Sequence, residues 1–365
     1  MARRVNGEGT IGRRKDGIYY GSVRLDGKYR WCYGKTRKEV ADKLKSLRRD
    51  HEQGINLSAD KVTVAAFMER WLEETVKRKN KYSTYTSYKQ IVVAHIIPNL
   101  GAIFLSALRP DHVQTLINRL TKAKKAPRTI RNVRAVLRKA LNQAMRWRYI
   151  TFNAAALVET PRIEQHKVHP LTKEEARRLL DAVRGHRLEA LYLLALTLGL
   201  REGELLGLLI VSIDLERETV TVDGALIRKE KKLIRVPPKT KSSIRTLPLP
   251  PSLLAALTEH IARQQEQFPG GQWLFTTKDG EPISRYTLLD QFQSLLKKAK
   301  LRKMRFHDLR HSCATFLIAR GEHPRTVMDI LGHSQISTTM NIYGHILDET
   351  RTAAINGLDD LLSER

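Results

Sequence analysis

The sequence predicts a multidomain, mainly α-helical protein that begins with a small three-stranded sheet and one helix, continues as a helical domain, and ends in a mixed α/β domain. Three observations predict it. A short alternating stretch near the N-terminus is broken by Asp26-Gly27, which is typical of a β-hairpin because glycine tolerates the positive φ of the turn. Helical periodicity then fills residues 62–162, and after Pro170 short strands stand between two groups of helices. The predicted domains are residues 1–58, 62–162 and 168–365.

In the first predicted domain, alternating runs at residues 19–25 and 28–33 flank the turn, and a helix follows. Thr36 and Glu39 have the spacing of a capping box, which marks the start of that helix. A small basic sheet packed on one helix is the simplest structural interpretation. Aromatic and basic residues interleave on the strands, and this favours a DNA-binding role. The basic residues concerned are Arg24 and Arg30.

The second predicted domain consists of amphipathic helices. Apolar spacing indicates helices at residues 64–72 and 84–97, the latter ended by Pro98 and Gly101, and Pro110 suits the first position of a third. A fourth helix is predicted over residues 129–147. Basic residues lie between its apolar positions, and their single sign favours a phosphate-facing surface over an ordinary solvated face. These basic residues are Arg128, Arg131, Arg134, Arg138 and Lys139.

The third predicted domain begins with a second capping box, formed by Thr172 and Glu175. Helices come first, and the strands that follow are recognised by short β-branched and apolar runs. Helices are predicted again from there to the end of the sequence. The predicted strands lie near residues 219–222, 226–227, 233–236 and 245–249.

The net charge indicates the class of partner. Lys and Arg total 65 against 38 acidic residues, a formal charge of +27, so a polyanion such as double-stranded DNA is expected. A membrane partner would favour a basic amphipathic helix or a lipidation signal, and neither is recognised. Two distant cysteines, Cys32 and Cys313, and an N-terminus without an apolar signal segment predict a reduced, cytoplasmic protein.

Polar residues in apolar surroundings are the first candidates for chemistry. Arg201 follows a strongly apolar helix, so it should lie near a core, where it needs a carboxylate partner or an anionic ligand. Glu204 lies one helical turn further on and could orient it. A plain buried Arg–Glu pair is an equally good interpretation of this segment alone.

His307 and Arg310 are three residues apart and can converge on one anion from the same helix face. A zinc site is the alternative, because His307 and His311 are four apart with Asp308 between them. Arg310 would then add positive charge beside the cation, and no third ligand is evident. We therefore expect neither a metal nor another cofactor.

Three further residue types complete the candidates. His333 follows Leu331-Gly332, and Tyr343 lies ten residues beyond it. A tyrosine near a C-terminus most often serves in packing, and lysines in a hairpin turn are usually solvated. The turn in question offers Lys239 and Lys241.

Together these residues resemble the tyrosine recombinase (phage integrase) family, whose pattern is Arg, Lys, His-x-x-Arg, His and a nucleophilic Tyr in that order. The resemblance extends over roughly residues 170–357. Lys239 is preferred as the catalytic lysine because the first Lys of such a turn usually holds that place, and Lys241 remains the alternative. The matching positions are Arg201, Lys239, His307, Arg310, His333 and Tyr343.

The resemblance implies an N-terminal arm-type DNA-binding domain, a helical, SAM-like core-binding domain and a catalytic domain. It implies a site-specific recombinase that integrates or excises a mobile element, such as a prophage, through a 3′-phosphotyrosyl bond, without metal or ATP. The expected partners are attachment-site core DNA and arm-type sites, directionality or DNA-bending proteins, and further copies of the chain in a DNA-bound tetramer. A bacterial or phage origin is expected. The apolar tail after Tyr343 would dock on its own domain or on a neighbouring protomer.

Two other functions are compatible with parts of the pattern. A type IB topoisomerase uses similar chemistry to relax supercoils without sequence preference, although the predicted arm-like domain argues against it. A non-catalytic DNA-binding protein would account for the charge, but not for the ordered set of candidate residues.

Overall fold

A computed structural model of the chain describes residues 10–25, 27–52, 61–163, 169–230, 232–238 and 243–332, together with Met340. The chain divides into two compact units, Met1–Gln165 and His166–Arg365. The predicted fold class is confirmed: a small N-terminal sheet, a helical part and a mixed α/β part follow one another. Lys239, Lys241, His333 and Tyr343, and the predicted apolar tail, lie outside the described residues.

The N-terminal part is an antiparallel sheet with one helix on one face. Strands β1 (Thr10–Arg13), β2 (Tyr19–Leu25) and β3 (Lys28–Gly34) lie in that order, and α1 (Arg37–Glu52) follows. Its small core consists of Val23, Val40 and Leu44. A Cβ at Gly21 would lie 2.6 Å from Val40 Cγ1, so the absent side chain lets α1 lie close against β2. Glu39 N donates to Thr36 Oγ1 (3.2 Å), so the predicted cap is present.

Four helical stretches make up the rest of the first unit. They are α2 (Val64–Trp71), α3 (Tyr82–Ile91), α4 (Pro110–Lys122) and α5 (Pro127–Arg146). Helix α2 is extended by a π-helical turn, Leu72–Val76, and by Lys77–Lys79, and α3 by a π-helical turn, Val92–Ile96, and by Ile97–Leu100. Their apolar faces enclose one core around Phe67, Trp71 and Leu137.

Of the two predicted end signals of the second helix, Pro98 is wrong and Gly101 is confirmed, because helical structure continues through Pro98 to Leu100 and Gly101 caps it. The π-helical turn Val92–Ile96 directly precedes the segment, where the proline removes one helix hydrogen bond. Pro110 does occupy the first turn of α4, as predicted, since its missing N–H is not needed there.

The second unit begins with α6 (Lys173–Val183), whose predicted cap is confirmed. Glu175 N donates to Thr172 Oγ1 (3.1 Å), and Thr172 N donates to Glu175 Oε2 (3.0 Å). Helix α7 (Glu189–Thr197) is buried almost throughout, and the short α8 (Glu202–Leu206) follows it directly. The apolar run that precedes Arg201 therefore forms the centre of this unit's core.

In the described part of this unit, strands and four more helices follow α8. Strands β4 (Ile213–Asp214), β5 (Thr219–Val222) and β8 (Arg245–Pro248) form one antiparallel sheet, and β6 (Ala225–Lys229) and β7 (Lys232–Val236) form a hairpin. Each predicted strand thus has a counterpart. The remaining helices are α9 (Pro251–Gln267), α10 (Arg285–Lys298), α11 (His307–Ala319) and α12 (Pro324–Leu331).

Among the helices that the structure describes, none combines the length and apolar character needed to cross a bilayer.

Candidate active site

Arg201 lies at the start of α8 and is held by two groups. Its Nη1 donates to Glu204 Oε1 (2.7 Å), and its Nη2 donates to the Gly332 carbonyl (2.9 Å). Its side chain is still 39% exposed, so the guanidinium reaches the surface while these two groups hold its orientation. The backbone N–H of Arg201 also donates to Glu204 Oε2 (3.1 Å), so one carboxylate caps the helix and orients the arginine.

Glu204 is buried and is shared between two arginines. Its Oε2 accepts from Arg245 Nη2 (2.9 Å), while Oε1 accepts from Arg201. Burial acts to raise the pKa of Glu204, but the hydrogen bonds and charges of Arg245 and Arg201 outweigh it and hold the pKa below its ordinary value. The carboxylate is therefore ionised at neutral pH.

Sequence analysis missed Arg245, which appeared there only as the start of the predicted strand 245–249. A signal for it does exist. Arg245 and Leu247 alternate along β8, and Leu249 follows its end in the same alternation; both leucines are buried, so the arginine side chain shares the inward face. An arginine at an inward strand position needs a carboxylate or carbonyl partner.

Arg310 is the most deeply buried cation of the site. It lies on α11, is 3% exposed, and donates from Nη1 to the Gly199 carbonyl (2.7 Å). Its Nη2 is buried without a hydrogen-bond partner among the described residues. Burial, followed by the charge of Arg201, lowers the pKa of Arg310 to about 9. A buried guanidinium with an unused N–H group is a binding site for an anion.

The charges of this cluster do not balance. Arg201, Arg245 and Arg310 lie around the one carboxylate of Glu204, and all of these groups act on the pKa of Arg310. Within the part of the chain that the structure describes, the cluster therefore carries an excess of positive charge. An anion with several oxygens would offset this excess and would accept the remaining N–H groups.

His307 begins α11, one helical turn before Arg310. The ring keeps an exposed edge, but the protein packed around it, then His311 and Arg310, lower the pKa of His307 to about 4. The His307 and His311 rings lie edge to face with centroids 5.0 Å apart. His307 is therefore neutral at pH 7 and can accept a proton.

Asp308, which lies between the two histidines of the alternative zinc site, is bound by Arg305. It accepts hydrogen bonds from the backbone N–H (2.8 Å) and Nη2 (2.7 Å) of Arg305. Over the described residues, no group of three or more His, Cys, Asp or Glu side chains is arranged to hold a metal ion.

The structure describes the residue before His333 and the strands on both sides of Lys239 and Lys241. Helix α12 ends at Leu331, and Gly332 follows in the left-handed region at φ +65°. Since the Gly332 carbonyl accepts from Arg201, the residue before His333 is fixed beside Arg201. The turn that contains Lys239 and Lys241 connects β7 to β8, the strand that begins at Arg245.

The basic residues predicted to contact DNA on α5 are placed in two ways. Four of them are exposed, and Lys139 lies over the Tyr88 ring, 5.1 Å from its centroid. Arg134 is different, because its Nε and Nη2 donate to the carbonyls of Ala155 and Ala156 (3.0 Å each). This side chain therefore stabilises the fold, and its role as a DNA contact stays a prediction. The exposed residues are Arg128, Arg131, Arg138 and Lys139.

The two predicted arginines of the N-terminal sheet lie on opposite faces. Arg24 pairs with Tyr29 on the face away from α1, and its guanidinium lies 5.9 Å from the Tyr29 ring centroid. Arg30 pairs with Val23, which is buried under α1, so Arg30 belongs to the helix side. The outer face is aromatic and exposed at Tyr29, Trp31 and Tyr33.

Comparison with known proteins identifies the relatives of both units. The model of the phage integrase family matches residues 169–350, and that of the phage integrase N-terminal SAM-like domain matches residues 63–121. A tyrosine recombinase XerC-like protein of Caldanaerobacter subterraneus subsp. tengcongensis is 34% identical, over 96% of this chain and 95% of its own length.

Two solved structures share the fold. The Tn1549 transposon integrase in complex with a circular intermediate DNA superposes with a TM-score of 0.73 at 21% identity, covering 82% of this chain and 100% of that one. A lambda integrase tetramer bound to a Holliday junction superposes with a TM-score of 0.60 at 20% identity, covering 93% and 96%.

The protein packed around His307 leads to a first prediction. In the DNA-free protein, His307 should titrate below the ordinary histidine pKa of about 6.5, because burial and the neighbouring cations disfavour its charged form. Histidine NMR across pH 4 to about 8, with the signal assigned by loss in His307→Gln, measures this. A His307 pKa at or above the ordinary value would contradict the described packing.

Gly199 leads to a second prediction, because its carbonyl accepts from Arg310. It has φ +60°, and a Cβ there would lie 2.5 Å from Leu331 Cδ2 and 3.2 Å from Cys313 Sγ. Gly199→Ala should lower the free energy of unfolding by about 2–4 kcal/mol, from backbone strain and overpacking together.

Gly185→Ala is the matched control for Gly199→Ala. Its φ is +71° but nothing lies within 4 Å of its Cβ position, so only the backbone strain of about 1–2 kcal/mol applies. Urea denaturation of both variants gives the comparison. Equal losses would show that the Gly199 contacts are not tight.

Proposed function

The chain belongs to the phage integrase family of tyrosine recombinases, enzymes that cut and rejoin DNA strands, and we propose that it is a site-specific integrase that moves a mobile element through a covalent link to Tyr343. The observation that carries this proposal is the cluster of Arg201, Arg245 and Arg310 around Glu204, in which Arg310 Nη2 has no partner among the described residues. A scissile phosphate fits that requirement, because its two non-bridging oxygens carry the charge and the acceptors that the cluster lacks.

Arg201 and Arg310 hold the phosphate in this proposal. Both are always charged near neutral pH, and their planar N–H groups match two phosphate oxygens. Attack on the phosphorus creates a pentacoordinate species with more negative charge than the ground state. Fixed donors stabilise that charge without reorganising, so these arginines act chiefly on the rate. His333, which follows the fixed Gly332, supplies a further donor.

The proposed reaction exchanges one phosphodiester bond for another. Tyr343 Oη attacks the phosphorus and forms a P–O bond, while the bond from phosphorus to the 5′-oxygen breaks. His307, neutral at pH 7, accepts the phenol proton, and Lys239 or Lys241 gives a proton to the leaving 5′-oxygen. A 5′-hydroxyl of another strand reverses these steps, so rejoining needs neither ATP nor a metal.

The proposed domains divide the work on DNA. Residues 168–365 perform the chemistry, residues 62–162 bind the core site, and residues 1–58 bind arm-type sites. The exposed basic residues of α5 provide phosphate contacts for the core site. On the N-terminal sheet, Arg24 and its aromatic neighbours form the DNA-facing surface, whereas Arg30 lies on the helix side.

The proposed assembly is a tetramer on DNA within a bacterial cytoplasm. The lambda integrase structure is a tetramer bound to a Holliday junction, and this chain shares its fold. Directionality or DNA-bending proteins are the expected accessory partners. The tail after Tyr343 would then dock either on its own catalytic domain or on a neighbouring protomer.

The nucleophile assignment predicts a covalent adduct. Wild-type protein should form a protein–DNA adduct, stable on a denaturing gel, with a nicked suicide duplex made from the junction of the mobile element's two ends. The adduct should form in EDTA, since no metal takes part. Tyr343→Phe should bind the same duplex equally well and form no adduct, because only the phenolic oxygen is lost.

The duplex without a nick and the Tyr343→Phe protein are the two controls for this experiment. Adduct formation by Tyr343→Phe would assign the nucleophile to another residue. If the wild type binds the duplex and forms no adduct, the catalytic proposal is wrong and a non-catalytic DNA-binding function is favoured.

The two kinds of arginine on α5 predict different losses. Arg131→Ala should weaken duplex binding and reduce the salt slope by about 1, because an exposed phosphate contact is removed. Arg134→Ala should leave that slope unchanged and lower the melting temperature, since the Ala155 and Ala156 carbonyls lose their donor. Fluorescence anisotropy from about 50 to 200 mM salt tests both variants. Equal slopes for the two would contradict the assignment.

A further inference from the structure

Arg245 makes three contacts, and none of them is to a residue of its own strand. Nη2 donates to Glu204 Oε2 (2.9 Å), Nε donates to the Ile330 carbonyl (2.9 Å), and Nη1 lies 3.4 Å from the Ser243 carbonyl. The side chain is 8% exposed, so it has little access to a solvent partner or to DNA. Each of the three guanidinium nitrogens contacts a protein group among the described residues, so Arg245 is placed to hold its neighbours.

The contact with Glu204 controls the position of Arg201. Oε2 of the carboxylate is held by Arg245, and this leaves Oε1 directed at Arg201 Nη1 (2.7 Å). Without Arg245, the carboxylate would be free to rotate toward a two-pronged arrangement with Arg201. Arg201, which reaches the surface, would then no longer be held in one orientation.

The contact with Ile330 controls the end of α12. Helix α12 stops at Leu331, and a Cβ on Gly332 would lie 2.7 Å from Arg245 Nη1, so Gly332 packs directly on the guanidinium. The carbonyl of Gly332 is at the same time bound by Arg201 Nη2 (2.9 Å). The two arginines thus fix both the helix end and the residue that precedes His333.

We propose that Arg245 is a positioning residue for strand cleavage, which links the turn containing Lys239 and Lys241, the Arg201–Glu204 pair and the chain segment that leads to His333. The inference rests on the proposed function of the site. Arg245 begins β8 shortly after the two lysines in the sequence, so its contacts fix the start of the strand that follows them. The described contacts of Arg245 are to Glu204 and to two backbone carbonyls, and in this proposal it acts through them.

The test compares Arg245→Lys with wild type in single-turnover cleavage of the nicked suicide duplex. Lysine keeps the charge, but one ammonium cannot replace a fork that serves a carboxylate and two carbonyls. The cleavage rate constant should fall by about tenfold to a hundredfold, as expected for small misplacement of reacting groups. Duplex affinity should change by less than about threefold, because the effect is expected in the transition state.

A double-mutant cycle separates positioning from general damage to the fold. Glu204→Gln should also slow cleavage, and the combination with Arg245→Lys should lose far less than the product of the two single losses, because both act through one contact. Arg187→Lys is the control. Arg187 lies in the same unit and is half-buried. Like Arg245 it donates to a backbone carbonyl, that of Thr276 (2.6 Å), but it is not part of the cluster.

The outcomes of this experiment are distinct. Unchanged cleavage in Arg245→Lys would overturn the inference. So would a double variant whose loss of cleavage rate equals the product of the losses in Arg245→Lys and Glu204→Gln. An equal loss of cleavage rate in Arg187→Lys, at an equal drop in melting temperature, would also overturn it. A large loss of rate at constant affinity, coupled to Glu204, supports it. Failure of the wild type to form any adduct on a duplex that it binds would instead overturn the proposed function, and this inference with it.

Discussion

One buried carboxylate, that of Glu204, determines the arrangement of the candidate active site. It caps the helix on which it lies, holds Arg201 with one oxygen and holds Arg245 with the other. Removing its charge would leave three guanidinium groups together in a region of low dielectric constant, where their mutual repulsion is least screened. The conformation of α8, the direction of Arg201 and the end of α12 all depend on this one acid.

Binding and chemistry use positive charge in different ways. The formal charge of +27 and the exposed residues of α5 act over a distance and depend on ionic strength. The buried arginines act over single hydrogen bonds, and water and salt have little access to them. In the proposed function, a duplex associates through the surface charge, and the buried cluster distinguishes a correctly placed phosphate from one that is merely nearby.

Much of the fold followed from local patterns. The capping box at Thr172, the first turn of α4 at Pro110 and the strands around the Asp26-Gly27 turn are set by residues a few positions apart, and the structure contains all of them. Pro98 failed as a helix end, because a π-helical turn upstream has no recognised local signal.

The candidate site was predictable only in part. Arg201, His307 and Arg310 stood out through short spacings and the family order. The partners that hold them are carbonyls and side chains tens of residues away, such as Gly199 for Arg310 and Arg245 for Glu204. The acceptors of Arg134 at Ala155 and Ala156 were not predicted either, since they share no spacing pattern with it. Tertiary contacts decide such cases, and local periodicity does not record them.

The buried Nη2 of Arg310 also has a bearing on how long the protein survives in a cell. An ion that binds only the folded chain shifts the folding equilibrium by mass action. Here a bound anion would offset the repulsion of Arg310 by Arg201 and Arg245. Copies seated on DNA should therefore unfold less often than unbound copies and be degraded more slowly. The same charge imbalance that prepares the site for a phosphate would thus limit the pool of unbound recombinase, and with it the chance of cutting at a wrong place.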